Sequence, residues 1–459
     1  MTNVATVIRD IAGWPLMIEL KKGETYTVKR QVKKETVTYK LTLLAVREIW
    51  EPDYYISNNP GHRTLAKAEV DVDVSGMKAT LLLRPYQQPV TVNGLQLYVE
   101  ATKNWGTMEQ LYPLTDMTGD VRLSICAAGE GWGPDDLLFP IKNYRWRSAT
   151  YQNTWTSLVP YNAHYYHRGE DFGAIPDILL LQAIAAGEIT MTPVPNGDGK
   201  SNSLTIKTAD GIDIRFAHMN IETIDHTLTL GTKVTAGHVV AKTGCTWNGQ
   251  RSQSSDPHVH VDFSDGNTAF SAYPFLTSAY FRVYPDVLLP VSGGYYFTVP
   301  GGQVELDGSR SQARPGHSIK KMYWVLHSGE NVEGSLAVAK YDTPGLYSEE
   351  LHVIADDGTE DRDFAQVRVY STNESNTWCG WAYYSPTRNI KPGDPVTFRN
   401  RLLGGVTFDP GDGSPMIPFG DGDLTHTYLA PGIYTVTLSA VGPRDEPFTL
   451  RMRVIVDQP

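Results

Sequence analysis

Between Pro257 and Phe263 the chain alternates residue by residue, with His258, His260 and Asp262 on one side and Val259, Val261 and Phe263 on the other. Period-two alternation of this kind is that of a β-strand with two unlike faces. The apolar face must pack on a core, so both histidines and the aspartate project together to the opposite side. A solvated polar face is one reading. Solvated faces are normally built from Lys, Glu, Thr or Ser, however, and paired imidazoles suit a metal or catalytic site equally well.

Three more ionisable residues precede this strand: His167 and Asp171 in His-Arg-Gly-Glu-Asp, and His218 in Phe-Ala-His-Met. A catalytic zinc takes three protein ligands and leaves its fourth position to a water whose pKa falls to about 7. Two histidines and one aspartate meet that count and leave two histidines for proton handling. The i, i+4 spacing of His167 and Asp171 would align them on a helix, but Gly169 and Gly173 make a helix poor there, so a loop or extended segment is expected. His218 follows a hairpin pattern, Ser203 to Lys207, a turn at Asp210-Gly211, then Ile212 onward. Alternation puts His218 on the face of Ile212, Ile214 and Phe216, at the end of an inward row. A satisfied core histidine is the other reading of that position. His62, in the turn-rich Asn-Asn-Pro-Gly-His, is expected to be exposed and inert.

With 459 residues the chain has room for about three domains of ordinary size. Its abundance of Tyr, Gly, Pro and Thr favours strands and turns. A formal charge of −11 without a Lys/Arg cluster argues against a nucleic-acid or anionic-membrane footprint. No run approaches the roughly 18 apolar residues of a membrane span. Cys126, Cys245 and Cys379 are too scattered for a metal clamp and too few for a disulfide framework, and are expected to be free, buried thiols. The N-terminus has neither a basic nor an apolar signal region, so a secretory leader is not recognisable in this chain.

The pattern along the chain is mainly β and divides into four segments. Residues 1–135 read as a β-rich sandwich or barrel, with strands from Thr25, Thr36, Ala68 and Thr91 and a hairpin at Asn93-Gly94. Residues 136–288 hold the five candidate residues. Beyond them Tyr341-Asp-Thr-Pro-Gly-Leu-Tyr347 recurs as Tyr428-Leu-Ala-Pro-Gly-Ile-Tyr434, each followed by an alternating strand. That spacing suits one small β-sandwich per repeat, over 289–371 and 376–459. Asp409 and Asp412, and Asp421 and Asp423, are too sparse for a calcium loop and read as surface turns, with His426 structural.

The middle segment resembles the lysostaphin/LytM-type zinc metallopeptidases. The matching stretches are His167-Arg-Gly-Glu-Asp171-Phe, Ala183-Ile-Ala-Ala-Gly187-Glu-Ile, Phe216-Ala-His218-Met, Gly231 to Thr246, and Asp256-Pro-His258-Val-His260-Val-Asp-Phe. The resemblance covers about a third of the chain and implies an antiparallel β-sheet peptidase. It implies that His167, Asp171 and His260 ligate Zn2+, while His218 and His258 act on the water or the tetrahedral oxyanion. Phe216 stands where the family usually has Tyr, Met219 for Leu and Asp256 for Gly. The loop after Thr246 is longer than usual. None of these departures removes a ligand or a catalytic histidine, and they bear on substrate preference.

Both C-terminal repeats resemble PKD domains, through Leu306-Asp-Gly-Ser and Tyr323-Trp-Val-Leu in one copy and Phe408-Asp-Pro-Gly-Asp-Gly and Thr425-His-Thr-Tyr in the other. Such modules imply spacer or binding roles, and the repeats are expected to position the enzyme without building its site. The N-terminal domain is expected to be a spacer or a cover over the groove. The resemblance implies a secreted or envelope-located bacterial endopeptidase acting on peptidoglycan. Cleavage of an insoluble or matrix protein is the enzymatic alternative, and a non-catalytic envelope-binding scaffold is the alternative of another class.

Overall fold

The computed structural model describes residues 5–459 apart from 33–34, 53–62, 108–116, 160–164, 196, 200–202, 248–249, 252–255, 372–379, 402–404, 421 and 443. His62, Cys379, Asp421 and part of the loop after Thr246 therefore lie outside the described residues. The chain is mainly β and multi-domain, its strands joined into mostly antiparallel sheets. Among the described residues no helix is long and apolar enough to cross a membrane.

Near the N-terminus, Thr25–Val32, Glu35–Pro52, Arg63–Val74 and Met77–Leu83 form a four-stranded meander. A five-stranded sheet contains Leu16–Leu20, Val121–Ala127 and Leu95–Thr102, and the expected hairpin turns at Asn93-Gly94, both with positive φ. The alternating valines and leucines of the two sheets share one core.

The middle of the chain forms an eight-stranded antiparallel sheet in the order Gln152–Asn153, Glu170–Gly173, His258–Ser264, Asp213–Ala217, Leu204–Lys207, Gly187–Met191 and Lys233–Val234, with Ala269–Phe270 also paired to His258–Ser264. Helix Tyr273–Val283, begun with Pro274 in its first turn, packs Tyr273 and Tyr280 against Trp146. Phe139 and Phe172 complete that aromatic core.

The recurring Pro-Gly motif has the same local structure in both repeats. Tyr347 donates its hydroxyl to the Thr343 carbonyl at 2.8 Å, and Tyr434 donates to the Ala430 carbonyl at 2.7 Å. Each of these rings also packs on the tyrosine that opens its motif, Tyr341 or Tyr428. The repeats are not independent beads, however. A parallel pairing of Leu346 with Phe448 joins them into one nine-stranded sheet.

Buried polar contacts join the repeats to the middle of the chain. Arg453 donates through Nε to Asp361 Oδ1 at 2.6 Å, and also to the carbonyls of Arg147 and Trp146. Arg147 in turn donates to Asp363 Oδ2 at 2.7 Å. Stranding one member of a buried ion pair costs about 3–5 kcal/mol. A chain ending near Pro290 would strand Arg147. The N-terminal unit is tied in as well: Tyr166 Oη receives the Leu65 N–H at 2.6 Å and donates to the Leu65 carbonyl, and Trp155 donates to the Glu100 carbonyl.

Candidate metal centre

Strand His258–Ser264 lies between Glu170–Gly173 and Asp213–Ala217, with Asp171 opposite His260 on one side and Ala217 opposite it on the other. Val259, Val261 and Phe263 are fully buried on the core face. Burying each contributes about 1.5–3 kcal/mol, and a one-residue slip would exchange them with the histidines. Hydrophobic packing on one face therefore sets the position of the polar residues on the other. Asp171 lies in strand Glu170–Gly173, and His167 lies in the irregular segment just before it, so neither is helical.

On that polar face three atoms converge. His167 Nε2 lies 3.0 Å from His260 Nδ1 and 3.1 Å from Asp171 Oδ1, and His260 Nδ1 lies 2.8 Å from Asp171 Oδ1. Donors held about 2.0–2.1 Å from one tetrahedral zinc would stand about 3.3 Å apart, so this triangle is slightly contracted from that geometry. His258 Nε2 lies 3.7 Å from the same carboxylate oxygen, and the His218 and His258 rings are 4.4 Å apart, centroid to centroid.

The outer nitrogens decide what the inner ones present. His167 Nδ1 faces the Gly169 carbonyl at 3.0 Å, and His260 Nε2 faces Asp262 Oδ2 at 2.9 Å. His258 Nδ1 faces the Asp256 carbonyl at 2.6 Å, and His218 Nδ1 faces the Thr246 carbonyl at 3.1 Å. Each partner is an acceptor, so each outer nitrogen can carry a proton, which leaves the inner nitrogen open to a cation once any second proton on the ring is lost. Two imidazole nitrogens and a carboxylate oxygen about 3 Å apart need a shared positive charge, supplied by a proton on His260 without metal or by a metal ion in its place. The donor set thus fits a zinc ion. Asn153 donates to the other oxygen of Asp171 at 2.8 Å and leaves Oδ1 aimed at the triangle. Gly169 has no substitute, because a Cβ there would lie 2.8 Å from the His260 ring and 2.6 Å from the Val261 carbonyl.

His218 departs from the inward row expected of it. Regular alternation would put it on the apolar face with Phe216, but the strand ends at Ala217 and His218 has φ of 65°. That left-handed turn swings the ring across to His258. Thr246 holds the result, donating its N–H to the His218 carbonyl while accepting from the imidazole. Gly244 runs so close beneath that a Cβ would meet the same carbonyl at 2.4 Å. Backbone of this kind is costly and is found where surrounding structure enforces it, often at functional sites.

Burial lowers His258 and pushes His218 well below the ordinary imidazole range, and the neighbouring histidines add to the effect on His218. Asp171 is held well below the carboxylate range: burial opposes this, but His167 and His258 outweigh it. His260 is also disfavoured by burial, yet its bonds to Asp171 and Asp262 carry it up to about 9 without metal. Below that pH the metal-free ring holds a proton that a cation must displace. Apparent zinc affinity should therefore rise about tenfold per pH unit between about pH 6.5 and 8.5. Competition against a chromophoric chelator checks this, and an affinity that stays flat over the range would refute the coupling.

Asp262, Asn153 and Tyr151 support the site without having been singled out as members of it. Asp262 was legible, since it continues the H-x-H alternation. Asn153 and Tyr151 leave no local signal, because they reach the site by sheet pairing from a two-residue strand and its flank. Elsewhere the acidic turns are satisfied by protein groups: Asp409 accepts from Gly411, Asp412 from Ser414 and His426, and Asp423 from Arg399. Cys126 is buried and Cys245 only half-buried, and neither forms a disulfide among the described residues.

Residues 381–446 match the PKD domain family, so the second repeat carries a PKD domain. No curated protein matches the chain in sequence. Among solved structures the chain is similar to a putative glycyl-glycine endopeptidase lytM from Ruminococcus gnavus, at 21% identity over 32% of this chain and 61% of that one, with a TM-score of 0.24. It thus spans about three fifths of that protein's length. It is also similar to Helicobacter pylori Csd3, at 14% identity over 59% of this chain and 75% of that one, TM-score 0.22. A third likeness is to fibronectin(III)-like modules of Clostridium thermocellum CbhA, at 13% identity over 37% and 92%, TM-score 0.14. Scores this low carry no inference about chemistry.

Proposed function

We propose that the chain is a zinc-dependent endopeptidase, with His167, Asp171 and His260 as ligands and His218 and His258 as catalytic residues. The observation that carries this reading is the set of inner nitrogens whose outer partners are all acceptors, three donor atoms forming a closed triangle and two unligated imidazoles beside it. Zinc bound there supplies Lewis acidity, lowering the pKa of water to about 7 and polarising a carbonyl. His258 and His218 stay neutral near pH 7 because burial opposes their charging, so either Nε2 can accept a proton from the attacking water. The ring that takes the proton then becomes a donor to the developing oxyanion or the leaving amine. Asn153 and Asp262 fix the orientations of Asp171 and His260 throughout.

Bacterial peptidoglycan is the proposed substrate and the cell envelope or exterior the proposed location. The motif resemblance supports both, and the PKD domain is compatible with the location. The division into an N-terminal β domain, a peptidase domain and two β-sandwich repeats belongs to the same proposal. Elemental analysis of protein purified without added zinc, followed by digestion of purified peptidoglycan, tests it. About one zinc per chain and release of new amino groups are expected. Bound zinc without hydrolysis of any peptide substrate would support the scaffold alternative instead.

A further inference from the structure

Tyr151 packs at a tilt against His258, with centroids 4.6 Å apart and an interplanar angle of 31°. Its other neighbour is Trp381, edge-on at 4.8 Å, from the first strand of the PKD domain. Ala149, Tyr151, Ile175, Trp381 and Tyr383 form a small apolar cluster of their own at this junction. The backbone beside Tyr151 is clamped from the same side. Thr150 exchanges bonds with Ala382, its N–H donating to the Ala382 carbonyl at 3.0 Å and its Oγ1 accepting the Ala382 N–H at 2.8 Å. Gln366, from the first repeat, donates to the Thr150 carbonyl at 2.6 Å, and Tyr295 accepts the Gln152 N–H. Two residues further on, Asn153 holds Asp171.

We propose that the C-terminal repeats help build the catalytic centre, with Trp381 as a positioning residue that holds Tyr151 against His258. The inference rests on the catalytic reading of His258 given above. His258 has one hydrogen bond fixing its outer nitrogen, which leaves the ring free to tilt about that bond. The packing of Tyr151 and His218 against the ring removes that freedom. Tyr151 is itself 4% exposed and depends on Trp381, 2% exposed, for its outer wall. An aromatic contact of this kind contributes positional restraint beyond the apolar area it buries.

The test uses the full chain, zinc-loaded, with Trp381→Ala and Trp381→Phe. Long-range proton–nitrogen correlation spectra of histidine-labelled protein report each imidazole separately. Trp381→Ala should broaden or shift the His258 signals, leave those of His167 and His260 in place, and retain about one zinc per chain. Turnover of a soluble cross-linked muropeptide should fall about tenfold or more with little change in KM, and Trp381→Phe should restore both readouts. Should Trp381→Ala fail to fold, Trp381→Leu, which keeps apolar volume, carries the same comparison. Unchanged His258 signals in a folded variant, or equal disturbance of all four site imidazoles, overturns the proposal. A parent chain that hydrolyses no peptide substrate, muropeptide included, overturns the functional reading, while the His258 spectra still decide the positioning role.

Discussion

Zinc content should fall from about one per chain to none when His167 or Asp171 is replaced by alanine. Each substitution removes one of three donor atoms lying 2.8–3.1 Å apart. Losing a supporting group such as Asp262 typically weakens a site by about 10–100-fold, and losing a ligand costs more. Among the described residues no other side chain joins the triangle: His258 Nε2 stands 3.7 Å from Asp171 Oδ1 and its outer nitrogen is tied to Asp256. Elemental analysis of the purified variants, with melting curves to confirm folding, is the measurement. Bound metal unaffected by both substitutions would refute the ligand set. Asp262→Ala makes a graded companion, expected to keep the ligands but bind zinc about 10–100-fold more weakly.

Turnover should separate from metal binding in the other two histidines. His218→Ala and His258→Ala are expected to retain zinc and to lower the rate by about 100-fold or more, the usual contribution of a positioned acid–base or oxyanion group. Neither inner nitrogen belongs to the triangle, and both rings stay neutral near pH 7 because burial disfavours their charged forms. The His218 variant should also relax locally, since the left-handed backbone at that position is held in part by the imidazole bond to Thr246. Loss of zinc in either variant would reassign that residue to the ligand set. Unchanged turnover on a substrate the parent cleaves would remove it from the chemistry.

Much of the centre was legible in the amino-acid order because its chemistry is local. Alternation from Pro257 to Phe263 is enough to put His258, His260 and Asp262 on one face, and the glycines around Asp171 make a helix poor there. The same reasoning misplaced His218, because alternation assumes a strand that continues, and the chain turns left-handed at that residue. The repeated Pro-Gly motif was legible too, and in each copy it closes on itself through a tyrosine hydroxyl and a carbonyl four residues back.

The role of the repeats was not legible. Modules recognisable by sequence suggested separable units, yet Arg453 meets Asp361 and the backbone of Arg147 in one buried cluster, and Trp381 reaches the wall of His258 through Tyr151. Residues hundreds of positions apart carry no periodic signal of their meeting. The sequence by itself determined the β class, the strand faces and the five ionisable residues, because side-chain alternation and turn chemistry act over a few residues. Only the tertiary structure decided which nitrogen of each imidazole faces inward, where His218 points and which distant side chains brace the site. Those outcomes depend on hydrogen-bond partners and packing surfaces supplied by other sheets.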